Sequence, residues 1–203
     1  MLLPAVFSLS CPLVLASASP RRQQFLREWG VPFRVDAPQG VEPRAEAGEA
    51  PAAYALRAAQ AKARATAARH SGALTLAADT VVAVQNAILG KPRDAADALA
   101  MLRQLSGRTH QVITGVCLVL PDGTEQSFTD STDVTFAAWP EAALAAYVRT
   151  GEPMDKAGAY AIQGQGAFLV ERIHGSWSTV VGLPVTETAR RLLQAGLLRA
   201  AAA

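Results

Sequence analysis

Three features of this sequence could handle a polyanion: adjacent arginines behind hydroxyls, a carboxylate within an apolar run, and lysines at tight loops. In Ser17-Ala18-Ser19-Pro20-Arg21-Arg22, two hydroxyls, the amides of a helix start and two guanidiniums follow a short apolar run. Dipole, donors and bidentate forks of this kind together hold a phosphate chain. Taken alone, the segment reads more readily as a capped surface helix with two solvated arginines. Asp79 stands in Leu76-Ala77-Ala78-Asp79-Thr80-Val81-Val82. A carboxylate there is costly unless paired, metal-bound or at a strand end facing a site. The apolar flanks favour a catalytic or metal-binding carboxylate over one that caps a turn.

Lys62 lies among alanines on a helical stretch, Lys91 in Gly90-Lys91-Pro92, and Lys156 in Asp155-Lys156-Ala157-Gly158. Each by itself reads as a solvated surface lysine. Gly90 and Pro92 fix the backbone at Lys91, and a fixed ammonium is a useful point charge against phosphate. Glu42 reads as an ordinary exposed acid. Several motifs are missing. No G-x-x-x-x-G-K-[ST] loop occurs, which excludes a Walker-type NTPase. Gly164-Gln165-Gly166 is followed by Leu169 where a dinucleotide fingerprint needs Gly or Ala. His70, His110 and His174 lack metal-ligand spacing, and no G-x-S-x-G elbow activates Ser17 or Ser19.

These residues need elements to position them. The spacing predicts a strand over Leu13–Ala16 and then a helix capped by Ser19, with Pro20 in its first turn and Gly30 at its end. A short strand over Pro32–Val35 and a helix from Pro51 to about His70 follow. Tyr54, Ala58, Ala61 and Ala65 would form a small-residue face on that helix. Leu74–Val84, interrupted only by the charge of Asp79, reads as a central strand or a hairpin arm. Asp94 caps a helix closed by Gly107, and Pro121-Asp122-Gly123 joins strands over 111–120 and 125–136. A helix from Pro140 to Thr150, a glycine-rich loop over 155–166 and a helix from Pro184 to about Leu198 complete the chain. Alternating strands and helices with a hairpin imply an α/β protein with a mixed sheet.

The chain has 203 residues, 42 of them alanine, and aromatics make up 6%. That predicts a close-packed, helix-rich core in one domain spanning 1–203, needing no disulfide or metal to fold. A net charge of +2 excludes a strongly charged disordered chain and gives no footprint for stable nucleic-acid binding. Cys11 and Cys117 lie in apolar runs, which reads as reduced, buried thiols of a cytoplasmic protein. No run approaches the roughly 18 apolar residues of a membrane span. Leu13–Ala18 imitates a signal-peptide cleavage region, but no Lys or Arg precedes Arg21, so a buried strand is the better reading.

The candidates above occur in a fixed order with Thr132-Asp133-Val134-Thr135-Phe136, Gly151-Glu152-Pro153-Met154-Asp155-Lys156-Ala157-Gly158-Ala159-Tyr160-Ala161-Ile162-Gln163-Gly164 and Val180-Val181-Gly182-Leu183-Pro184. This ordered set resembles the Maf-type nucleoside triphosphate pyrophosphatases, a family also named for septum-formation inhibition, from about Leu13 to Leu198. The resemblance implies a mixed sheet in two lobes around a central cleft, related to the inosine triphosphate pyrophosphatases. It implies cleavage between the α and β phosphates with a divalent cation, Mg²⁺ or Mn²⁺. By the same resemblance Asp79 is the general base or metal-associated carboxylate, and Glu42 helps bind metal. Arg21, Arg22, Lys62 and Lys91 hold the triphosphate, with Ser17, Ser19, Asp155 and Lys156 also at the substrate.

The intact block ending in Gln163-Gly164 resembles the branch acting on dTTP and UTP, with Arg21, Thr80 and Gln163 at its specificity positions. A side-chain amide such as Gln163 can pair with the O4/N3 edge of uracil or thymine. Other readings are a 7-methyl-GTP pyrophosphatase of the sister branch, a house-cleaning enzyme for modified nucleotides, and a nucleotide-sensing regulator of cell division. A homodimer is compatible with each of these.

Overall fold

The computed structural model describes residues 5–201. In chain order the elements are β1 (Phe7–Leu9), β2 (Leu13–Leu15), α1 (Pro20–Glu28), β3 (Arg34–Val35), α2 (Pro51–Ala67), β4 (Leu74–Val84), β5 (Ala87–Leu89) and α3 (Ala95–Leu105). There follow β6 (Thr109–Val119), β7 (Glu125–Phe136), α4 (Glu141–Arg149), three 3₁₀ turns (Glu152–Asp155, Ala157–Ala159, Gly164–Leu169), β8 (Val170–His174), α5 (Trp177–Val181), α6 (Val185–Gln194) and β9 (Leu198–Ala200). The main sheet has the order β3-β2-β4-β6-β7-β8, with β5 on β4. Its β2–β3 and β2–β4 pairs are parallel, while β4–β5 and β7–β8 are antiparallel. The fold is mixed α/β. Contacts divide the chain into two compact units, one of residues up to Asp79 with 115–129 and from Gly182 on, the other of 80–114 and 130–181.

In the first unit, β4 from Leu74 to Asp79 is buried on both faces, as a central strand must be. Helix α2 lies on this sheet by its small side chains. Ala59 and Ala63 pack with Ala16, Ala77 and Cys117, and a Cβ placed on Gly115 would come within 2.5 Å of the Ala55 carbonyl group. The buried face is Ala55, Ala58, Ala59, Ala63 and Thr66, which corrects the face expected from the sequence. Ala61 and Ala65 lie at its half-buried margin, because periodicity among so many alanines does not say which row meets the sheet. The helix also ends at Ala67, short of His70. Cys117 is buried and Cys11 only half-buried, both as free thiols.

β1 pairs antiparallel with β9, register Ser8↔Arg199, and Phe7 meets Trp29 edge-on at 5.6 Å. Neither strand carries enough period-2 pattern to be read from the sequence. Helix α6 consequently stops at Gln194, before the expected Leu198.

In the second unit, α3 and α4 pack against the sheet through Leu102, Leu105, Val112, Phe136, Leu144 and Tyr147. Asp94 caps α3 by accepting the Asp97 N–H at 2.8 Å, as its position predicts. Gln85 and Asn86 both take positive φ, forming the tight turn that sends β5 back along β4. The sequence carries only a weak signal for it, since Gln replaces the usual Asn or Gly.

Candidate active site

Asp79 closes the part of β4 that belongs to the first unit, and it is buried at 7% exposure. Its carboxylate is paired: Lys62 Nζ, from α2, lies 2.5 Å from Asp79 Oδ1. The same ammonium lies 2.8 Å from Glu42 Oε2, so one lysine bridges two carboxylates brought in from a loop and a strand. Lys62 reaches them because the alanine face of α2 lets that helix approach the sheet closely. Burial lifts the Asp79 carboxyl above its ordinary range, aided by the Glu42 charge, while Lys62 and Arg22 pull against it. Net desolvation prevails, leaving a carboxylate primed to accept a proton.

Burial likewise raises the Tyr54 hydroxyl, and the Glu42 and Asp79 charges act the same way. Tyr54 therefore shares the electrostatic environment of the carboxylates. Sequence reading placed it only on a packing face.

The start of α1 brings Ser17 and Arg22 together. Arg22 donates from Nη1 to Ser17 Oγ at 3.0 Å and from Nε to the Gly182 carbonyl at 2.7 Å. Burial lowers the Arg22 pKa, with Asp79 and Glu42 attracting its charge and Arg21 repelling it. Arg22 is thus fixed rather than solvated, against the simpler sequence reading. Ser19 holds the N-cap position but its side chain makes no cap bond. Ser17 Oγ instead accepts the Ser19 N–H at 3.3 Å. Arg21 is half-buried.

A divalent cation would have Glu42 and Asp79 as protein donors. Among the described residues no three His, Cys, Asp or Glu side chains form a metal cluster. Two hard carboxylates fit a cation that takes its remaining oxygens from phosphate and water, the usual habit of Mg²⁺. They do not fit an all-protein cage.

The second unit holds Thr80, Lys91, Asp155, Lys156 and Gln163. Thr80 Oγ1 lies 2.9 Å from Thr114 Oγ1, and Thr114 donates to the Thr179 carbonyl at 2.8 Å. The β4–β5 register Val82↔Leu89 returns the chain towards Lys91, which is exposed. Gly158 N–H donates to the Gly90 carbonyl at 3.0 Å, tying the Lys91 loop to the block that carries Lys156. Lys156 Nζ contacts Asp155 Oδ1 at 2.6 Å and the Glu152 carbonyl at 2.8 Å. Gln163 is half-buried and directly precedes the third 3₁₀ turn. The four residues expected along one cleft thus divide between the units, with Arg21, Lys62 and Asp79 in the first and Lys91 in the second. Glu152, discussed below, was named in the sequence only as part of the block.

Comparison with known proteins adds a second line of observation. A family model described as "Maf-like protein" matches residues 12–195. The "dTTP/UTP pyrophosphatase" of Nitratidesulfovibrio vulgaris is 57% identical over 192 residues, covering 95% of this chain and 91% of that protein. The protein of the same name from Oleidesulfovibrio alaskensis is 53% identical over 95% of this chain and 89% of its own length. The one from Myxococcus xanthus is 52% identical over 91% and 93%. A solved dITP/XTP pyrophosphatase from Mycobacterium abscessus aligns with a TM-score of 0.43 at 20% identity, covering 92% of this chain and 97% of that one.

Proposed function

The chain belongs to the Maf-like protein family, and we propose that it is a nucleoside triphosphate pyrophosphatase that converts dTTP and UTP to the monophosphate and pyrophosphate. The observation that carries this reading is Asp79, a buried carboxylate on a strand held at 2.5 Å by Lys62. Relatives at 52–57% identity bear the name of this activity.

In this reading Asp79 takes the proton of the water that attacks the α phosphorus, and the bond from that phosphorus to the bridging oxygen breaks. Burial shifts its pKa upward, the direction that strengthens a carboxylate as a general base. Arg22, locked by Ser17 and the Gly182 carbonyl, presents a fixed charge to the phosphates, joined by Arg21, Ser19 and Lys91. Lys62 keeps Asp79 ionised and turns towards phosphate oxygens when substrate displaces part of its pairing. Glu42 and Asp79 would hold Mg²⁺ or Mn²⁺, which neutralises developing charge on the phosphates.

Thr80, Asp155, Lys156 and Gln163 contact the nucleotide. The Gln163 amide supplies one donor and one acceptor to the O4 and N3–H of uracil or thymine. No helix of the described residues is long and apolar enough to cross a membrane. We place the enzyme in the cytoplasm, acting on free nucleotides. The test is pyrophosphate release from all canonical and several modified triphosphates, with Mg²⁺ and with Mn²⁺. Preference for dTTP and UTP supports the reading; no release from any pyrimidine triphosphate refutes it.

A further inference from the structure

We propose that Glu152 is the positioning residue of the base-reading loop: its carboxylate clamps the chain on both sides of Gln163 and so sets where that amide sits. The inference rests on the base-reading role of Gln163 given above. Glu152 Oε1 accepts from the Tyr147 hydroxyl at 2.9 Å and from Gly166 N–H at 2.9 Å, and Oε2 accepts from Gln165 N–H at 3.0 Å. The Tyr147 oxygen in turn accepts from Ala161 N–H at 3.3 Å. One network therefore reaches the chain two residues before Gln163 and two residues after it. Tyr147 is buried within the helical core of its unit, so the clamp is anchored to rigid structure and not to another loop.

The donor count dictates the residue type. Three donors converge on one side chain, which only an ionised carboxylate can accept without presenting a hydrogen of its own. Burial alone would raise the Glu152 carboxyl, yet the Gln165 and Gly166 amides and the Tyr147 hydroxyl hold it below its usual range. The approach is close: Gly164 has φ +74°, and a Cβ there would lie 2.7 Å from Glu152 Oε2. The backbone carbonyl of Glu152 also accepts from Lys156 Nζ. A single residue thus ties together both substrate-side segments of the block. Gln in its place would turn an NH₂ group against an amide donor and release one end of the turn.

The experiment compares kcat and KM for UTP and CTP in the wild type, Glu152→Gln, Gln163→Ala and the double variant, with amide hydrogen exchange over 161–169. Expected for Glu152→Gln are an about tenfold fall in UTP-over-CTP preference, a larger change in KM than in kcat, and faster exchange at Gln165 and Gly166. The double variant should select no worse than Gln163→Ala, because both changes remove one function. Tyr147→Phe, which removes the hydroxyl that donates to Glu152 and accepts from Ala161 N–H but keeps the Gln165 and Gly166 amides on the carboxylate, should shift preference in the same direction by less. Wild-type preference in Glu152→Gln, equal losses on UTP and CTP, or additive losses in the double variant would overturn the proposal. Unchanged preference in Gln163→Ala would instead sink the reading of Gln163, and this inference with it.

Discussion

Lys62 and Asp79, 17 residues apart in sequence, form a short ion pair with side chains only 15% and 11% exposed. A buried pair of this kind is costly to desolvate, and removing one partner strands the other charge. Two well-packed apolar residues would often stabilise as well or better, so the pair is better accounted for by the catalytic role proposed for Asp79 than by stability.

Catalysis separates from stability at this pair. Asp79→Asn should remain folded and lose at least about 10²-fold in turnover of dTTP, since it can no longer accept a proton. Nucleotide affinity should fall less, with the arginines and lysines still present. Lys62→Met should cost about 3–5 kcal/mol by stranding Asp79, and Lys62→Met/Asp79→Leu should recover most of that without recovering activity. Urea unfolding alongside dTTP turnover measures both. Near-wild-type turnover in a folded Asp79→Asn places the base elsewhere, with Glu42 or Asp155 next in line.

Base selectivity is the second expectation. Gln163→Ala should lower the preference for UTP over CTP by roughly ten- to a hundred-fold, the value of one matched buried hydrogen-bond pair. Steady-state kcat/KM for the two nucleotides decides it. Equal turnover of UTP and CTP by the wild type would already remove Gln163 as the reader.

Gly115 tests how Lys62 is delivered. A methyl group there would meet the Ala55 backbone at 2.5 Å, and neither a strand nor a helix yields cheaply. Gly115→Ala should cost about 1–3 kcal/mol in stability by overpacking. By lifting α2 it should also reduce turnover while the chain stays folded. A variant as stable and active as the wild type would show that this contact is soft.

His110 predicts an acid-sensitive step in stability. It is buried at 2% exposure, with Nε2 2.7 Å from the Tyr160 hydroxyl and the ring edge-on to Phe136 at 5.0 Å. Burial lowers its pKa from 6.5 to about 4, against a small opposing pull from Asp133. The native state therefore binds fewer protons than the unfolded chain in that interval. Its contribution is intact above pH 6.5 and is lost as the pH falls from 6.5 through about 4, reaching about 3 kcal/mol below that. Urea unfolding at pH 7 and 4.5 should show the loss in the wild type and a smaller one in His110→Phe. Parallel losses would assign the acid sensitivity to other groups.

Much of this was legible in one dimension, for a physical reason. An apolar, β-branched run broken by a single charge made β4 a strand with its bounds at Leu74 and Val84, and Asp94 capped α3 as a short polar side chain before a helix does. Isolation in that run also singled out Asp79, because the cost of burying a bare carboxylate is a property of its neighbours in sequence. Other features depend on contacts that no local pattern encodes. Alanine's uniformity hid which row of α2 meets the sheet, and packing against Gly115 settled it. Ser19 stood at the right position to cap α1, yet the bonding fell to Ser17, whose Oγ accepts from Arg22 and from the Ser19 N–H. Only the tertiary structure selected Lys62 to pair with Asp79 and Glu42, and Glu152 to clamp the chain around Gln163. Helix propensity and periodicity are set within a few residues, whereas those partnerships join segments whose approach is decided by the packing of the whole unit.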